Sequence, residues 1–304
     1  MELKQIAKRV YYFPSQANIG VITYEDKSAV LIDSGLDEEA GRKILKALEE
    51  KGLSLKAIVN THSHADHCGG NSFLKRKQGV KIYAPEVESA IIQFPCLEPF
   101  YLFSGASPPN ELKNKFLMAQ PSEVDYIIKK NERKLRFGET DLEIVPLPGH
   151  SPNQIGIGAE GVLFCADAVF SQEVLRKHKI PFYADVDKAR ETLEFLRGSG
   201  YNLFVPSHAQ PMASIEELAK AHLEAIGGIE KHVLENCKQP KTAEEITRQI
   251  CNIYSINLST VQQYFLMKTA ITAYLSSLHE RKKLKNSIIG NSMTWETESE
   301  EMIK

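Results

Sequence analysis

Three imidazoles and a carboxylate fall within six positions at His62-Ser63-His64-Ala65-Asp66-His67, in a chain that holds nine histidines among 304 residues. That density reads as a metal site rather than a polar loop. Neutral imidazole and carboxylate are borderline and hard donors suited to Zn²⁺, Fe or Mn²⁺, and extended alternation places His62 and His64 on the same side of the segment. Closing all four side chains around one ion would leave no open coordination position and would read as structural zinc, so reactive chemistry requires more ligands downstream. Three stand there: His150 in Pro148-Gly149-His150-Ser151-Pro152, Asp167 after an apolar run, and His208 after another.

The elements that must position these groups are apolar runs ending just before each of them. Leu55 to Val59 has the β-branched character of a buried strand and Asn60-Thr61 ends it, which puts the cluster at a carboxyl strand edge where open α/β sheets place ligands. Leu142 to Leu147 leads into the turn that Pro148 and Gly149 force, Gly161 to Cys165 ends at Ala166-Asp167, and Leu203 to Val205 precedes Pro206-Ser207-His208. An earlier run, Val30-Leu-Ile-Asp33-Ser-Gly35, ends in a carboxylate of two readings: a group that tunes the metal shell, or a turn former that bonds backbone or a ligand histidine from outside. Asp33 is not counted as catalytic. Cys68, next to the cluster, reads as a small buried space-filler.

Taken in order, His-x-His-x-Asp-His at 62 to 67, Pro-Gly-His at 148 to 150, Asp167 and His208 resemble the metallo-β-lactamase-fold hydrolases over roughly residues 1 to 215. The resemblance implies an α/β (α+β) chain folded as a four-layer αββα sandwich. It further implies that His62, His64 and His150 hold one metal, that Asp66, His67 and His208 hold a second, and that Asp167 bridges them. The implied cofactor is two divalent ions, Zn²⁺ first, with Fe or Mn²⁺ accepted by the same donors. A water or hydroxide between the ions would be the nucleophile and Asp66 the catalytic carboxylate that orients it. Asp167 is similar to the bridging carboxylate of the glyoxalase II, nuclease and lactonase-like branches, whereas the antibiotic-hydrolysing enzymes lack it. His64 stands where flavodiiron oxygen reductases place a glutamate, which argues against that role.

Composition agrees with an enzyme acting on a small molecule. A net charge of −2 from 37 basic and 39 acidic residues gives no global pull toward nucleic acid or membrane. Five scattered cysteines form no CxxC pair, no h-region opens the chain, and no stretch approaches the ~18 apolar residues of a membrane span. A cytoplasmic location follows as the expectation.

The chain divides into a catalytic domain over 1–212, a helical C-terminal domain over 213–285 that resembles the winged-helix-like module of some superfamily members, and a mobile tail over 286–304 around Trp295. Helices are predicted over 37–51 and 187–197 in the first part. In the second, capping boxes at Ser214–Glu217 and Thr242–Glu245 open helices to about 236 and 253, and a third helix runs from 257 to 278. Residues 85–131 read as an insertion, broken by Pro95 and Pro99 and helical over 111–118. Its Phe94, Phe100, Tyr101 and Phe103 would line a lid or pocket wall, or else form a satellite core or a homo-oligomer contact. The basic run Arg281 to Lys285 reads as a solvated helix end rather than a nucleic-acid contact.

The expected function is hydrolysis of an ester or thioester-type acyl bond by a binuclear centre. Two rivals share the motifs: a phosphodiesterase or ribonuclease of the same fold, and a mono-iron oxidoreductase resembling the persulfide dioxygenases.

Overall fold

The computed structural model describes residues 1–138 and 140–298. Seven strands form the first sheet in the order of the chain: β1 (Lys4–Gln5), β2 (Val10–Phe13), β3 (Ile19–Thr23), β4 (Ser28–Ile32), β5 (Ser54–Val59), β6 (Lys81–Pro85) and β7 (Tyr126–Ile128). Neighbours are antiparallel up to β4 and parallel from β4 to β7. A second sheet runs β8 (Lys134–Phe137), β9 (Thr140–Pro146), β10 (Ile155–Ala159), β11 (Val162–Phe170) and β12 (Leu203–His208), antiparallel except for the β11–β12 pair.

Period-two alternation turns these strands into layers. Val30, Ile32 and Val59 of the first sheet meet Ile144, Ile157 and Phe164 of the second in one buried core between the sheets. The opposite face of the first sheet, with Leu31 and Ile58, packs on Ile44 and Leu48 of the helix Glu38–Glu50 and on Leu74 of the helix Asn71–Gln78. The opposite face of the second sheet, with Leu163 and Cys165, packs on Leu193 and Leu196 of the helix Val186–Gly198 and on Ile226 and Ile229 of the helix Glu216–Asn236. Helix, sheet, sheet, helix is the four-layer αββα order. Asp37 caps the first helix, its side chain accepting from the N–H groups of Glu39 and Ala40.

The last 90 or so residues form no separate core. The apolar cluster that begins at Val145 and Leu147 continues unbroken through Ile250, Tyr274 and Leu278 to Trp295. Within this part Thr242 and Glu245 make the expected capping box at the head of the helix Ala243–Ile253. The box expected at Ser214 does not form. Ile215 is buried and takes the cap position, so the helix begins at Glu216 and Ser214 Oγ merely accepts from the Glu216 N–H at 3.4 Å. The third helix spans Val261–Glu280, starting later than expected because Thr260 accepts from the Gln263 N–H and Gln263 in turn accepts from that of Ser259.

The mobile tail is corrected. Residues 284 to 297 build a hairpin, β14 (Leu284–Ile289) and β15 (Ser292–Thr297), and β15 also pairs with β13 (Lys241–Thr242). Gly290 and Asn291 both take positive φ, 55° and 62°, as a two-residue turn between twisted strands requires. Trp295, only 7% exposed, anchors the hairpin against the ring of His279. Residues 299–304, the rest of the expected tail, lie outside the described residues.

The stretch 85–131 resolves into the helices Glu86–Gln93 and Leu97–Leu102, a 3-10 turn at Asn110–Leu112, and β7. The helix expected over 111–118 is absent because the Asn114 side chain bonds the Phe116 N–H and the Glu111 carbonyl, competing with helical pairing. Leu102, Leu112 and Leu117 form a satellite core that closes on Phe103, Val261, Phe265 and Leu266. Phe94, Phe100 and Tyr101 remain exposed. Among the described residues, no helix is long and apolar enough to cross a membrane.

Candidate metal centre

All seven residues singled out from the sequence converge at the carboxyl edges of β5, β9, β11 and β12. His62 and His64 leave β5, and Asp66 and His67 sit on the short helix Ala65–Cys68 that follows. Gly69 closes that helix where no larger residue fits, since a Cβ would lie 1.8 Å from the Leu36 carbonyl oxygen. Gly149 does the same for the turn bearing His150: its φ is +136° and a Cβ would lie 2.4 Å from Ala189 Cα. Asp167 departs from the expectation that its strand has ended. It lies inside β11, which continues to Phe170 past irregularities in its pairing with β12, with Ala166 at φ 49° re-aiming the chain.

Three overlapping sets of donors result: His62 with His64 and His150, His62 with His67 and Asp167, and Asp66 with His67 and His208. His64 Nδ1 lies 3.2 Å from His62 Nε2 and 2.9 Å from His150 Nε2. On the other side His208 Nε2 lies 3.3 Å from an oxygen of Asp66 and 3.3 Å from one of Asp167. Asp167 touches both groups, with Oδ2 3.4 Å from His150 Nε2 and Oδ1 3.3 Å from His67 Nε2. Asp167 thus stands between the two groups of donors.

The far side of each ring fixes where its lone pair points. His150 Nδ1–H donates to the Phe182 carbonyl at 3.0 Å, His208 Nδ1–H to that of Gln16 at 2.7 Å, and His67 Nδ1–H to the Asp33 carboxylate at 2.8 Å. Asp33 also accepts from the Thr61 hydroxyl, whose oxygen lies 3.0 Å from His62 Nδ1. Asp33 thus bonds both the Thr61 backbone N–H and the outer nitrogen of His67. Nε2 of four histidines is thereby turned inward.

Electrostatics divides the centre into two halves. Burial, followed by the charges of His67 and His64, pushes the His62 pKa far down, and burial with His64 pushes His150 down to about 4. Burial opposes charge on His67 and His208 too, but the carboxylates around them prevail, raising His67 well above its usual range and His208 to about 10. Against the same burial penalty, His67 leads in holding Asp66 at about 2, and His208 and His67 hold Asp167 well below the usual carboxylate range. One half is a set of neutral imidazoles with lone pairs facing each other, and the other is buried carboxylate needing positive charge.

Cations would satisfy both halves. His67 Nε2 and Asp167 Oδ1 are buried, 3.3 Å apart, and neither has an aligned hydrogen bond. Orphaned buried polar atoms call for a partner, and donors of this chemistry fit divalent ions. Cys68 is not among them. Its thiol donates to the Ser63 carbonyl at 3.2 Å, and burial pushes its pKa far up, leaving an inert filler.

Sequence reasoning missed several supports. Asn18 donates to the Pro206 and Ala209 carbonyls and so frames His208. Phe182 stands edge-on to His64 and His150. His222, from the helix Glu216–Asn236, accepts from the Phe170 N–H through Nε2 and meets the Tyr183 hydroxyl through Nδ1. Glu88 is wholly buried and accepts from Ser63, Ser151 and Asn153. None carries a local signature beyond its residue type.

The fold and this site define a class, and comparison with known families agrees. The description "Metallo-beta-lactamase superfamily" matches residues 12–208, so the chain belongs to that superfamily. Among curated relatives, it is similar to the hydroxyacylglutathione hydrolase GloC of Haemophilus influenzae, 28% identical over 157 residues that make up 51% of this chain and 68% of that one. A hydroxyacylglutathione hydrolase of Brucella ovis is 41% identical over 156 residues, 51% of this chain and 48% of the relative, so the match spans about half of that protein's length. A solved metallo-beta-lactamase family protein from Thermus thermophilus shares the fold with a TM-score of 0.75 at 19% identity, covering 96% of this chain and 99% of its own. At 96% of the chain, that likeness extends beyond residue 212.

Proposed function

We propose that this protein is a binuclear metal-dependent hydrolase that cleaves an ester or thioester-type acyl bond of a small molecule. The observation that carries the proposal is Asp167, whose two oxygens stand between a three-histidine set and the Asp66, His67, His208 set. His62, His64 and His150 would hold one ion and Asp66, His67 and His208 the other. Bound there, two divalent ions would supply an activated water and polarise the scissile carbonyl. Zn²⁺ suits these donors, as do Fe and Mn²⁺. The hydroxyacylglutathione hydrolases among the relatives support a thioester as the bond attacked.

The chain's own residues do the rest. Asp66 and His208 are partly open, with side chains 32% and 19% exposed, and His64 is likewise half-buried, so substrate approaches across these residues. Asp66, ionised at neutral pH, presents an acceptor there that orients the attacking water. Phe182, edge-on to His64 and His150, gives the other wall an apolar surface. A grip on RNA gains little support from the basic run, since Arg281 is paired with Glu230 and Asp187, and Lys285 with Glu296.

The test is a hydrolysis panel of thioester, carboxylic ester, phosphodiester and β-lactam substrates, using protein of measured metal content with Asp167→Ala as control. Turnover of thioesters or esters that the substitution abolishes is expected. Turnover of phosphodiesters alone would favour the nuclease reading, and oxygen consumption with one iron per chain the oxidoreductase reading.

A further inference from the structure

Glu88 sits in the first turns of the helix Glu86–Gln93, away from the seven metal-type ligands in sequence, and is 0% exposed. A buried carboxylate is costly unless its oxygens are satisfied, and here the satisfaction has a definite division. Oε2 accepts from the Ser63 N–H at 3.0 Å and the Ser63 hydroxyl at 2.6 Å. Oε1 accepts from the Ser151 hydroxyl at 2.8 Å and the Asn153 N–H at 3.0 Å. Ser63 lies between His62 and His64, and Ser151 follows His150. One oxygen therefore holds the loop after β5, the other holds the turn after β9, and the two loops together supply the three-histidine set.

We propose that Glu88 is a positioning residue that sets the first ion's site by fixing the distance between these loops. The inference rests on the binuclear reading above and adds to it a second buried carboxylate, besides Asp33, that holds the ligand-bearing loops. Asp33 orients His67 directly, whereas Glu88 touches no imidazole among its hydrogen-bond partners and acts through backbone and serine donors. The chemistry demands an acceptor with two separate lone-pair faces: four N–H and O–H groups converge on it and no donor is tolerated. Glutamine at this position would present an NH₂ to one of the two loops and so release it, leaving the helix Glu86–Gln93 otherwise intact.

The experiment titrates the metal-stripped protein with Zn²⁺ against a chromophoric chelator, and separately follows the visible spectrum on adding Co²⁺. Wild type is expected to take up two ions. Glu88→Gln is expected to bind one ion with wild-type affinity and the other about 10–100-fold more weakly, the range typical of groups that orient ligands. The weakened ion should be the one that His64→Ala loses and His208→Ala keeps, and its Co²⁺ bands should shift. Asp33→Asn, which loosens His67 directly and His62 through Thr61, should weaken both ions and so differ from Glu88→Gln. Ser151→Ala, which keeps the carboxylate and removes one donor, should weaken the same ion as Glu88→Gln by a smaller factor, and it decides the matter if Glu88→Gln does not fold. Wild-type affinity for both ions in the variants would overturn the role of Glu88 alone, as would an equal loss at both sites that tracks the melting temperature of the metal-free protein. A wild type that binds fewer than two ions would overturn the binuclear reading and this proposal with it.

Discussion

His222 makes the stability of this protein depend on pH in a way that can be worked from the structure. Burial lowers its pKa to about 4, against the 6.5 of an unperturbed imidazole, while the contact with the Phe170 backbone pulls weakly the other way. Neutral His222 accepts the Phe170 N–H at Nε2, 2.8 Å away, and turns Nδ1–H to the Tyr183 hydroxyl. A second ring proton would break the bond from the Phe170 N–H and leave Nε2–H only the Phe170 carbonyl, 3.2 Å away, to offset the burial of charge. The folded state thus binds fewer protons than the unfolded state between the two pKa values, and stability must fall as pH falls through that window. The contribution is fully present above pH ~6.5, is diminished by about 2 kcal/mol at pH ~5, and by about 3 kcal/mol below pH ~4. Urea unfolding of wild type and His222→Asn at several pH values between those limits isolates it, because the carboxylates that also titrate are common to both proteins. Wild type should lose about 2 kcal/mol more than the variant between pH ~7 and ~5. Parallel pH profiles would refute the reasoning, and a steeper profile in the variant would reverse its sign.

Three further outcomes follow from packing. Gly149→Ala must place a methyl against the Ala189 backbone at a φ that L-residues avoid, so a loss of ~2 kcal/mol or more is expected in thermal unfolding, with His150 displaced. Trp295→Ala should cost about 3–5 kcal/mol and expose the hairpin Leu284–Thr297 to limited proteolysis, since Trp295 is the large buried anchor of that hairpin. Leu112→Ala opens the satellite core rather than the main one, so hydrogen exchange should quicken over residues 97–117 and at the start of the helix Val261–Glu280, with little change in β3 to β5.

What the sequence revealed follows from what is local. Each ligand type stands directly after an apolar run, and a run that ends in a ligand needs no knowledge of its neighbours to be read, which is why His62, His64, Asp66, His67, His150, Asp167 and His208 were all recognisable. Glu88 was not, because a glutamate in the first turn of a short helix looks like any solvated helix end; only the arrival of Ser63 and Ser151 from distant strands makes it a buried acceptor. The hairpin at 284–297 did carry a signal, Gly290-Asn291 between strand formers, but the surrounding charged and polar residues resemble a tail, and Trp295 reveals its role only against His279 and Lys241. The Ser214 box failed for the opposite reason: the local motif was present and the burial of Ile215 overrode it.

The unbroken apolar seam from Val145 to Trp295 bears on how such chains can be rearranged. Ile226, Ile229 and Val233 lie against the same helix whose Ala189 backs the His150 turn, so residues beyond 212 act as a buttress to the catalytic edge rather than as cargo. A graft that exchanged this buttress for that of a distant relative would have to match the knobs and hollows of the seam. A chain cut at residue 212 would lay the seam bare to water and to other chains.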